Sequence, residues 1–438
     1  MLLSVKYYFD YLCGVFINDM KTLTEFVSRH IGDDVTRLVL DKAKWPEIDM
    51  DLAVSCIESR RKLKGKVPEW YEEPELIFPR KLSAEQCSSS LTGQYKAELA
   101  EKIAGDGKWK LADLTGGLGV DSWFFSKKAS QVLYCEMKKA LCDAAKHNFA
   151  VLEAGNIEIC NCMVVPDSEL LTALFSEFRP DIIYLDPARR GEGGRKVFLL
   201  EDCTPDILTL KDDLFRFSRH ILLKLSPMAD ISMVCDRLGK HCREVHVVAA
   251  GGECKELLIW MDREWDGEYT IKAVELHDNQ DSSFTFLPSE EKASACESVD
   301  RKAVEGLLEV AEGKYYLFEP GKALMKAGAF NLIGKKFGLA KFGKSTHYYL
   351  IDAETAENTV IIKGLGKLFR ISRCLPLDKR SLKTAAAEFP KAEVTARNIP
   401  MDTDTLRKKL GVTSSDDAHI FGLKSDKEGN VLIAASRI

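Results

Sequence analysis

The sequence predicts an α/β fold with a mostly parallel, doubly wound sheet between residues 109 and 262. Short apolar runs alternate there with longer helical patterns, and the last two runs are joined by too few residues for a helix. Strands that are joined through helices run parallel, whereas the last pair must be antiparallel. The predicted strands span residues 110–114, 131–136, 157–161, 181–186, 221–225, 244–249 and 256–261.

The segments before this sheet are expected to be of two kinds. Residues 1–19 are apolar and aromatic, but Lys6 and Asp10 interrupt them and no small-residue cleavage site follows. We interpret them as an extension or a mis-assigned start, and we expect neither a signal peptide nor a membrane span. Residues 20–105 have the apolar spacing of helices and predict a helical N-terminal domain.

The first strand ends in a run that is typical of a nucleotide site, Asp113-Leu114-Thr115-Gly116-Gly117-Leu118-Gly119-Val120-Asp121. Glycines between a strand and a helix let the backbone approach a ligand, and a carboxylate that ends the second strand, here Glu136, can bind ribose hydroxyls. Ser122 replaces the third glycine of the dinucleotide pattern, and Asp113 and Asp121 would repel a pyrophosphate. S-adenosylmethionine carries a cationic amino acid and no phosphate, so it is the predicted cofactor. A core turn with solvated carboxylates is the alternative.

The fourth strand leads into Asp186-Pro187-Ala188-Arg189-Arg190. In an open α/β sheet this position lies at the carboxyl edge beside the nucleotide, where an acceptor would meet the cofactor. We therefore predict Asp186 and Pro187 as catalytic residues. The predicted substrate contacts are Arg189 and Arg190 in a glycine-rich loop suited to phosphate, Lys224 near the end of the fifth strand, and Glu253 and Lys255 in the hairpin. A solvated loop and a surface ion pair are the alternatives for the arginines and for the hairpin residues.

The ordered set of motifs resembles the class I methyltransferases that carry a THUMP-like C-terminal domain. Asp113–Asp121 is similar to the first motif of trimethylguanosine synthase-type RNA methyltransferases, and the Tyr95-Lys96 and Glu253–Glu256 runs also fit the family. The C-terminal half matches through Tyr315–Pro320, Met325–Phe330 and Arg397–Pro400. The resemblance implies a Rossmann-like seven-stranded sheet and further cofactor contacts. With those already named, the full cofactor set is Asp113, Thr115, Gly116, Gly117, Gly119, Asp121, Glu136, Met137, Asn161 and Cys162.

The same resemblance implies the domain organisation. We expect the helical domain at 20–105, the methyltransferase domain at 106–262, a ferredoxin-like segment at 263–330 and a THUMP-like domain at 331–438. The strands predicted in this α+β C-terminal half span 269–276, 360–362, 392–396 and 431–435, and a helix spans 401–410. Structured RNA, with transfer RNA or ribosomal RNA as examples, is the implied partner.

Charge and composition bear on partners and compartment. Residues 321–380 carry twelve basic side chains and four acidic ones in a chain with a net charge of −5, which favours a polyanionic partner for this segment; solvated lysines are the alternative. The thirteen cysteines form no regular framework and indicate a reducing cytoplasm. The eight histidines show no ligand spacing, so we expect no metal site.

Three functions follow as hypotheses. The first is an S-adenosylmethionine-dependent methyltransferase that acts on RNA. The second is a non-catalytic RNA-binding protein on a methyltransferase scaffold, because Ala188 and Arg189 replace the second proline and the aromatic residue of the usual base-nitrogen motif. The third is a methyltransferase for a protein or a small molecule. The sequence does not identify the acceptor atom or the oligomeric state.

Overall fold

The structure is a computed structural model that describes residues 21–79, 81–189, 200–299, 301–310, 314–358, 360–427 and 429–438. The predicted extension at 1–19 lies outside the described residues. The chain divides into two compact units. The first contains the chain up to Leu225 with Met233–His241 and Ile259–Trp265, and the second contains Ser226–Ser232, Cys242–Leu258 and Asp266–Ile438. No helix in the described ranges is both long enough and apolar enough to cross a membrane.

The first unit begins with helices, as the apolar spacing predicts. Their starts follow local capping chemistry: the carboxylate of Asp49 accepts from the Leu52 amide, and Ser89 and Thr92 form a capping box. These helices span 21–29, Val35–Leu40, Met50–Leu63, Pro68–Glu72, Lys81–Gln86 and Ser90–Ala104, with a 3-10 turn at Lys42–Lys44.

Parallel strands follow in the first unit, with helices between them. In chain order the parallel strands are β1 (Lys110–Asp113), β2 (Gln131–Glu136), β3 (Ile157–Asn161), β4 (Ile182–Leu185) and β7 (His220–Leu225). Between β4 and β7 the two-residue strands β5 (Ala188–Arg189) and β6 (Cys203–Thr204) pair antiparallel in a sheet of their own. The helices are Val120–Ser126, Lys139–Val151, Glu169–Phe178, Ile207–Phe217 and Ile231–Leu238, with a 3-10 turn at Leu200–Asp202.

The register of these strands places their carboxyl ends together. β1 pairs in parallel with both β2 and β4, β2 with β3, and β4 with β7. Every side chain of β4 is buried, as in a strand that is covered on both faces. The turns after β1, β2 and β4 therefore lie at one edge of the sheet.

The next four strands are β8 (Cys242–Ala250), β9 (Glu253–Asp262), β10 (Thr270–Leu276) and β11 (Ser282–Phe286). The whole sheet has the order β11-β10-β8-β9-β7-β4-β1-β2-β3. β8 and β9 are joined only by Gly251 and Gly252, which both have positive φ, so the predicted antiparallel hairpin is confirmed. Seven of the strands are those predicted for the sheet. β10 and β11 extend it, because the predicted strand at 269–276 pairs in parallel with β8.

The C-terminal part of the second unit forms a separate seven-stranded sheet with the order β13-β14-β12-β15-β18-β17-β16. Its strands are β12 (Tyr315–Pro320), β13 (Ala340–Lys341), β14 (Tyr349–Asp352), β15 (Gly366–Pro376), β16 (Glu393–Arg397), β17 (His419–Ser425) and β18 (Gly429–Arg437). The second unit's helices are Pro288–Lys292, Arg301–Val310, Lys322–Ala327, Leu332–Phe337, Ala353–Asn358, Val360–Gly364, Lys379–Glu388 and Thr403–Leu410.

One secondary-structure prediction in this half is wrong. The Val360-Ile361-Ile362 run predicts a strand, but the structure forms the helix Val360–Gly364 there. In this helix Ile362 is fully buried whereas Ile361 is 48 % exposed, and the helix packs against β11 and β15. The backbone amide of Leu365 closes a helical turn on the carbonyl of Ile361, and the strand starts one residue later, at Gly366. Tertiary packing here outweighs the strand propensity of β-branched residues.

Candidate functional site

The turn after β1 depends on its glycines. Gly117 and Gly119 have φ values of +55° and +93°, in the left-handed region that glycine adopts without strain. At Gly116 an added Cβ would lie 2.2 Å from the ring of Tyr134 on the neighbouring strand. The Tyr134 hydroxyl donates to the carbonyl of Gly117 at 2.7 Å. The turn is therefore held tightly against β2, with backbone rather than side chains along it.

Asp113 supports this turn from the protein interior. Its side chain is buried; one oxygen accepts from the Ser122 hydroxyl at 2.6 Å, and the other accepts from the Thr115 amide at 3.0 Å. Burial raises the pKa of Asp113 to about 7, against the hydrogen bonds, which lower it. Ser122, at the position of the missing third glycine, thus has a structural role as a donor to this carboxyl group.

Glu136, the predicted ribose contact, lies close to the predicted cofactor residues Asn161 and Cys162 at the ends of β2 and β3. The Glu136 carboxylate accepts from the Gly117 amide at 3.1 Å and from the Lys138 amide at 2.7 Å. The Asn161 side chain and the Cys162 amide both donate to the Glu136 carbonyl, at 2.8 and 3.2 Å. The structure therefore brings a glycine turn, a carboxylate and an amide side chain to one point.

The remaining predicted cofactor residues differ in exposure. Met137, which follows Glu136, is 55 % exposed, whereas Cys162 is buried. An exposed thioether beside a strand end offers apolar surface to a flat ligand such as a purine. The thiol of Cys162 is buried and its backbone amide donates to the Glu136 carbonyl, so a contact of this residue with a cofactor stays a prediction.

The predicted acceptor residues are joined to the glycine turn. The backbone amide of Asp186 donates to the hydroxyl of Thr115 at 2.6 Å, which ties the end of β4 to the end of β1. The Lys224 ammonium donates to a carboxylate oxygen of Asp186 at 2.5 Å. Lys224 is thus placed to orient Asp186, in addition to the substrate contact that the sequence predicts. The Asp186 side chain remains 38 % exposed and accessible to an acceptor.

A buried ionic network beside the turn is the main feature that sequence reasoning missed. Lys96 is fully buried; its ammonium donates to the Ser88 hydroxyl at 2.8 Å and lies 3.3 Å from a carboxylate oxygen of Asp121. The Tyr184 hydroxyl donates to the other oxygen of Asp121 at 2.8 Å. Burial raises the pKa of Asp121, but the charges of Lys96 and Lys224 and these hydrogen bonds outweigh it, so the pKa is lowered.

A signal for Lys96 was present in the sequence. The buried side chains of the helix Ser90–Ala104 include Thr92, Lys96, Leu99 and Ile103, whose spacing of three and four residues marks one helix face. A lysine on an otherwise apolar helix face requires a buried anion. Asp121 supplies that anion.

The other predicted substrate residues are described only in part. Arg190 lies outside the described residues, as does the side chain of Arg189. Lys255 and Glu253 form an ion pair of 2.6 Å, with the two side chains 40 % and 73 % exposed. The ion-pair alternative for these two residues therefore matches the structure, and their contact with an acceptor stays a prediction. Burial raises the pKa of Cys254 between them to about 11, as expected for an inert thiol.

Comparisons with known proteins address the family. A model of a ferredoxin-like domain matches residues 316–357, and a model of a THUMP-like domain matches residues 366–437. The crystal structure of a protein of Porphyromonas gingivalis W83, assigned as a methyltransferase, is similar over 96 % of this chain and 98 % of that chain, with 29 % identity and a TM-score of 0.81. A protein of Pyrococcus horikoshii, assigned as an RNA methyltransferase, matches 30 % of this chain and 58 % of that chain at 19 % identity and a TM-score of 0.22. No curated protein matches the sequence.

Proposed function

Because the chain has the class I methyltransferase fold with ferredoxin-like and THUMP-like segments, we propose that it transfers the methyl group of S-adenosylmethionine to structured RNA in the cytoplasm. The observation that carries the proposal is the hydrogen bond from the Asp186 amide to the Thr115 hydroxyl. It joins the glycine turn to the Asp-Pro turn, so a cofactor on the first would lie beside an acceptor on the second.

In this proposal the cofactor lies along the glycine turn. Ribose hydroxyls bond to Glu136, whose carboxylate now accepts from two backbone amides, and the adenine lies near Met137 and Asn161. The cationic amino acid end is assigned to Asp121, whose carboxylate also pairs with the buried Lys96, while Asp113 holds the turn from beneath. S-adenosylmethionine supplies the electrophilic methyl group.

Direct displacement on a sulfonium methyl needs an aligned nucleophile above all. We assign that alignment to Asp186 and Pro187. The Asp186 carboxylate accepts a hydrogen bond from a proton-bearing acceptor, and Lys224 fixes the direction of that carboxylate. The THUMP-like domain and the basic residues between 321 and 380 support RNA as the partner of the second unit.

Cofactor binding is tested by titration calorimetry of the full chain with S-adenosylmethionine. We expect saturable binding that Glu136→Gln weakens by about ten-fold or more, as for a lost hydrogen bond to a charged group. Glu158→Gln is the matched control, because Glu158 is an exposed carboxylate on the neighbouring strand. Absence of binding, or equal affinity in wild type and Glu136→Gln, would contradict the proposal.

Catalysis is tested with methyl-labelled cofactor and total RNA from cells that lack this protein. We expect the wild-type protein to label this RNA and the Asp186→Asn variant to label it much less. The substitution keeps the backbone hydrogen bond to Thr115 but alters the ion pair with Lys224. Cofactor and RNA binding without transfer would support the non-catalytic hypothesis. Label in protein or in small molecules would support the third.

A further inference from the structure

Three cysteine side chains converge between β2 and β3. Cys135 and Cys160 are register partners on these adjacent parallel strands. Cys162 lies two residues beyond Cys160, and alternate residues of an extended chain point to the same face. The three sulfur atoms all lie within 4.8 Å of one another, and they are the one metal-ligand group of this kind among the described residues.

The distances suit one small cation. A metal bound to thiolates at about 2.3 Å separates its sulfur ligands by roughly 3.8 Å in tetrahedral geometry. Because no two of the three sulfur atoms lie more than 4.8 Å apart, each sulfur–sulfur distance must shorten by about 1 Å or less to bind a metal, and side-chain rotation can supply this. Three sulfurs leave one coordination position for water or another ligand.

The surroundings of the cluster also favour a bound ion. Cys135 is fully buried and Cys162 is 7 % exposed, whereas Cys160 is partly exposed and gives solvent access to the group. Thiolates select soft or borderline cations such as Zn²⁺ and Cu⁺ over Mg²⁺ and Ca²⁺, which prefer oxygen. A hard cation is therefore a poor match for this donor set.

We propose that Cys135, Cys160 and Cys162 form a binding site for one thiophilic cation of the zinc and copper(I) class. The cation binds the three sulfurs as thiolates, and the thiol protons are released to solvent. The sequence pattern of histidines does not reveal the site, because its donors are all cysteines from two strands. The site adjoins the predicted cofactor residues Glu136 and Asn161 and shares Cys162 with them, but the three-sulfur geometry does not depend on methyl transfer.

The test is a titration of the reduced full chain with Cd²⁺, using a reductant without thiols. We expect a thiolate-to-cadmium charge-transfer absorption that saturates at one ion per chain. Cys160→Ser with Cys162→Ser should weaken binding by at least about a hundred-fold and remove the absorption. Cys254→Ser with Cys296→Ser is the matched control, since both of these thiols are also partly buried, and it should leave the titration unchanged.

Zn²⁺ provides a second readout. A ligand that binds only the folded state raises the temperature of unfolding, so Zn²⁺ should stabilise wild type and the control but not the Cys160/Cys162 double variant. Circular dichroism of the double variant without metal verifies that it folds. An unchanged cadmium absorption in that folded variant, or no saturable binding by wild type, would overturn the site. Calorimetry with S-adenosylmethionine on wild type and on the Cys254/Cys296 control reports separately on the proposed function, because neither protein changes a predicted cofactor residue.

Discussion

Replacing Asp113 with asparagine should remove a pH dependence of stability that this buried carboxyl group imposes. Burial raises the pKa of Asp113 to about 7 in the folded protein, against an ordinary pKa of 3.8 for an exposed aspartate, so the folded protein holds the proton more tightly than the unfolded chain. The stability that proton binding by Asp113 contributes is complete below pH 3.8 and is lost as the pH rises through 7. Between these two pKa values each pH unit changes the free energy of unfolding by up to about 1.4 kcal/mol, and the change levels off above pH 7, so it amounts to roughly 3 kcal/mol between pH 5 and 8.

Asparagine suits this test because it keeps the shape and the hydrogen bonds. Its oxygen can still accept from the Thr115 amide, which now lies 3.0 Å from the Asp113 carboxylate. The Ser122 hydroxyl, which donates at 2.6 Å in wild type, can rotate and accept from the new amide group. The substitution therefore removes the titration without leaving an unpaired buried group.

The assay is urea unfolding at pH 5 and pH 8, followed by tryptophan fluorescence and circular dichroism. Relative to wild type, Asp113→Asn should gain about 3 kcal/mol between the two pH values, with an unchanged denaturant slope. Asp143→Asn is the control, because Asp143 is 58 % exposed and pairs with Lys139 on the surface. Parallel pH profiles for wild type and Asp113→Asn would refute the reasoning.

Two further substitutions test the packing around the turn. Gly116→Ala should lower the free energy of unfolding by about 1–3 kcal/mol, because the new Cβ would meet the Tyr134 ring at 2.2 Å. Gly155→Ala is the control, because its Cβ meets nothing within 4 Å, and equal denaturation midpoints for the two variants would contradict the prediction. Lys96→Met should lower the free energy of unfolding by about 3 kcal/mol, because Asp121 loses its buried cation. Adding Asp121→Asn should restore part of that stability, and a double variant no more stable than Lys96→Met would argue against a buried ion pair.

The strands of the first sheet could be predicted because their apolar runs are bounded by turn residues and separated by helical patterns. The Val360-Ile361-Ile362 run could not, since its propensity favours a strand while the structure forms a helix that packs against β11 and β15. The place of β10 beside β8 was also hidden, because strand patterns do not reveal which sheet a strand joins.

Contacts between distant residues explain what was missed in the site. Glu136 and Asp186 could be located because each ends a predicted parallel strand, and the carboxyl ends of such strands lie at one edge of the sheet. Lys96 reaches Asp121 from a helix that precedes the sheet, so its partner is not visible from local spacing. Cys135 and Cys160 become neighbours only through the register of β2 and β3.

The pairing of β10 with β8 determines where a truncated form of the protein can end. The pairs run from Thr270↔Glu244 to Leu276↔Ala250, so the sequence end of the predicted methyltransferase domain near residue 262 falls inside a continuous hydrogen-bonded ladder. A fragment that stops there would present β8 with unpaired amides and carbonyls, a template for aggregation. Expression of the first half alone should therefore include residues through β11, which pairs antiparallel with β10.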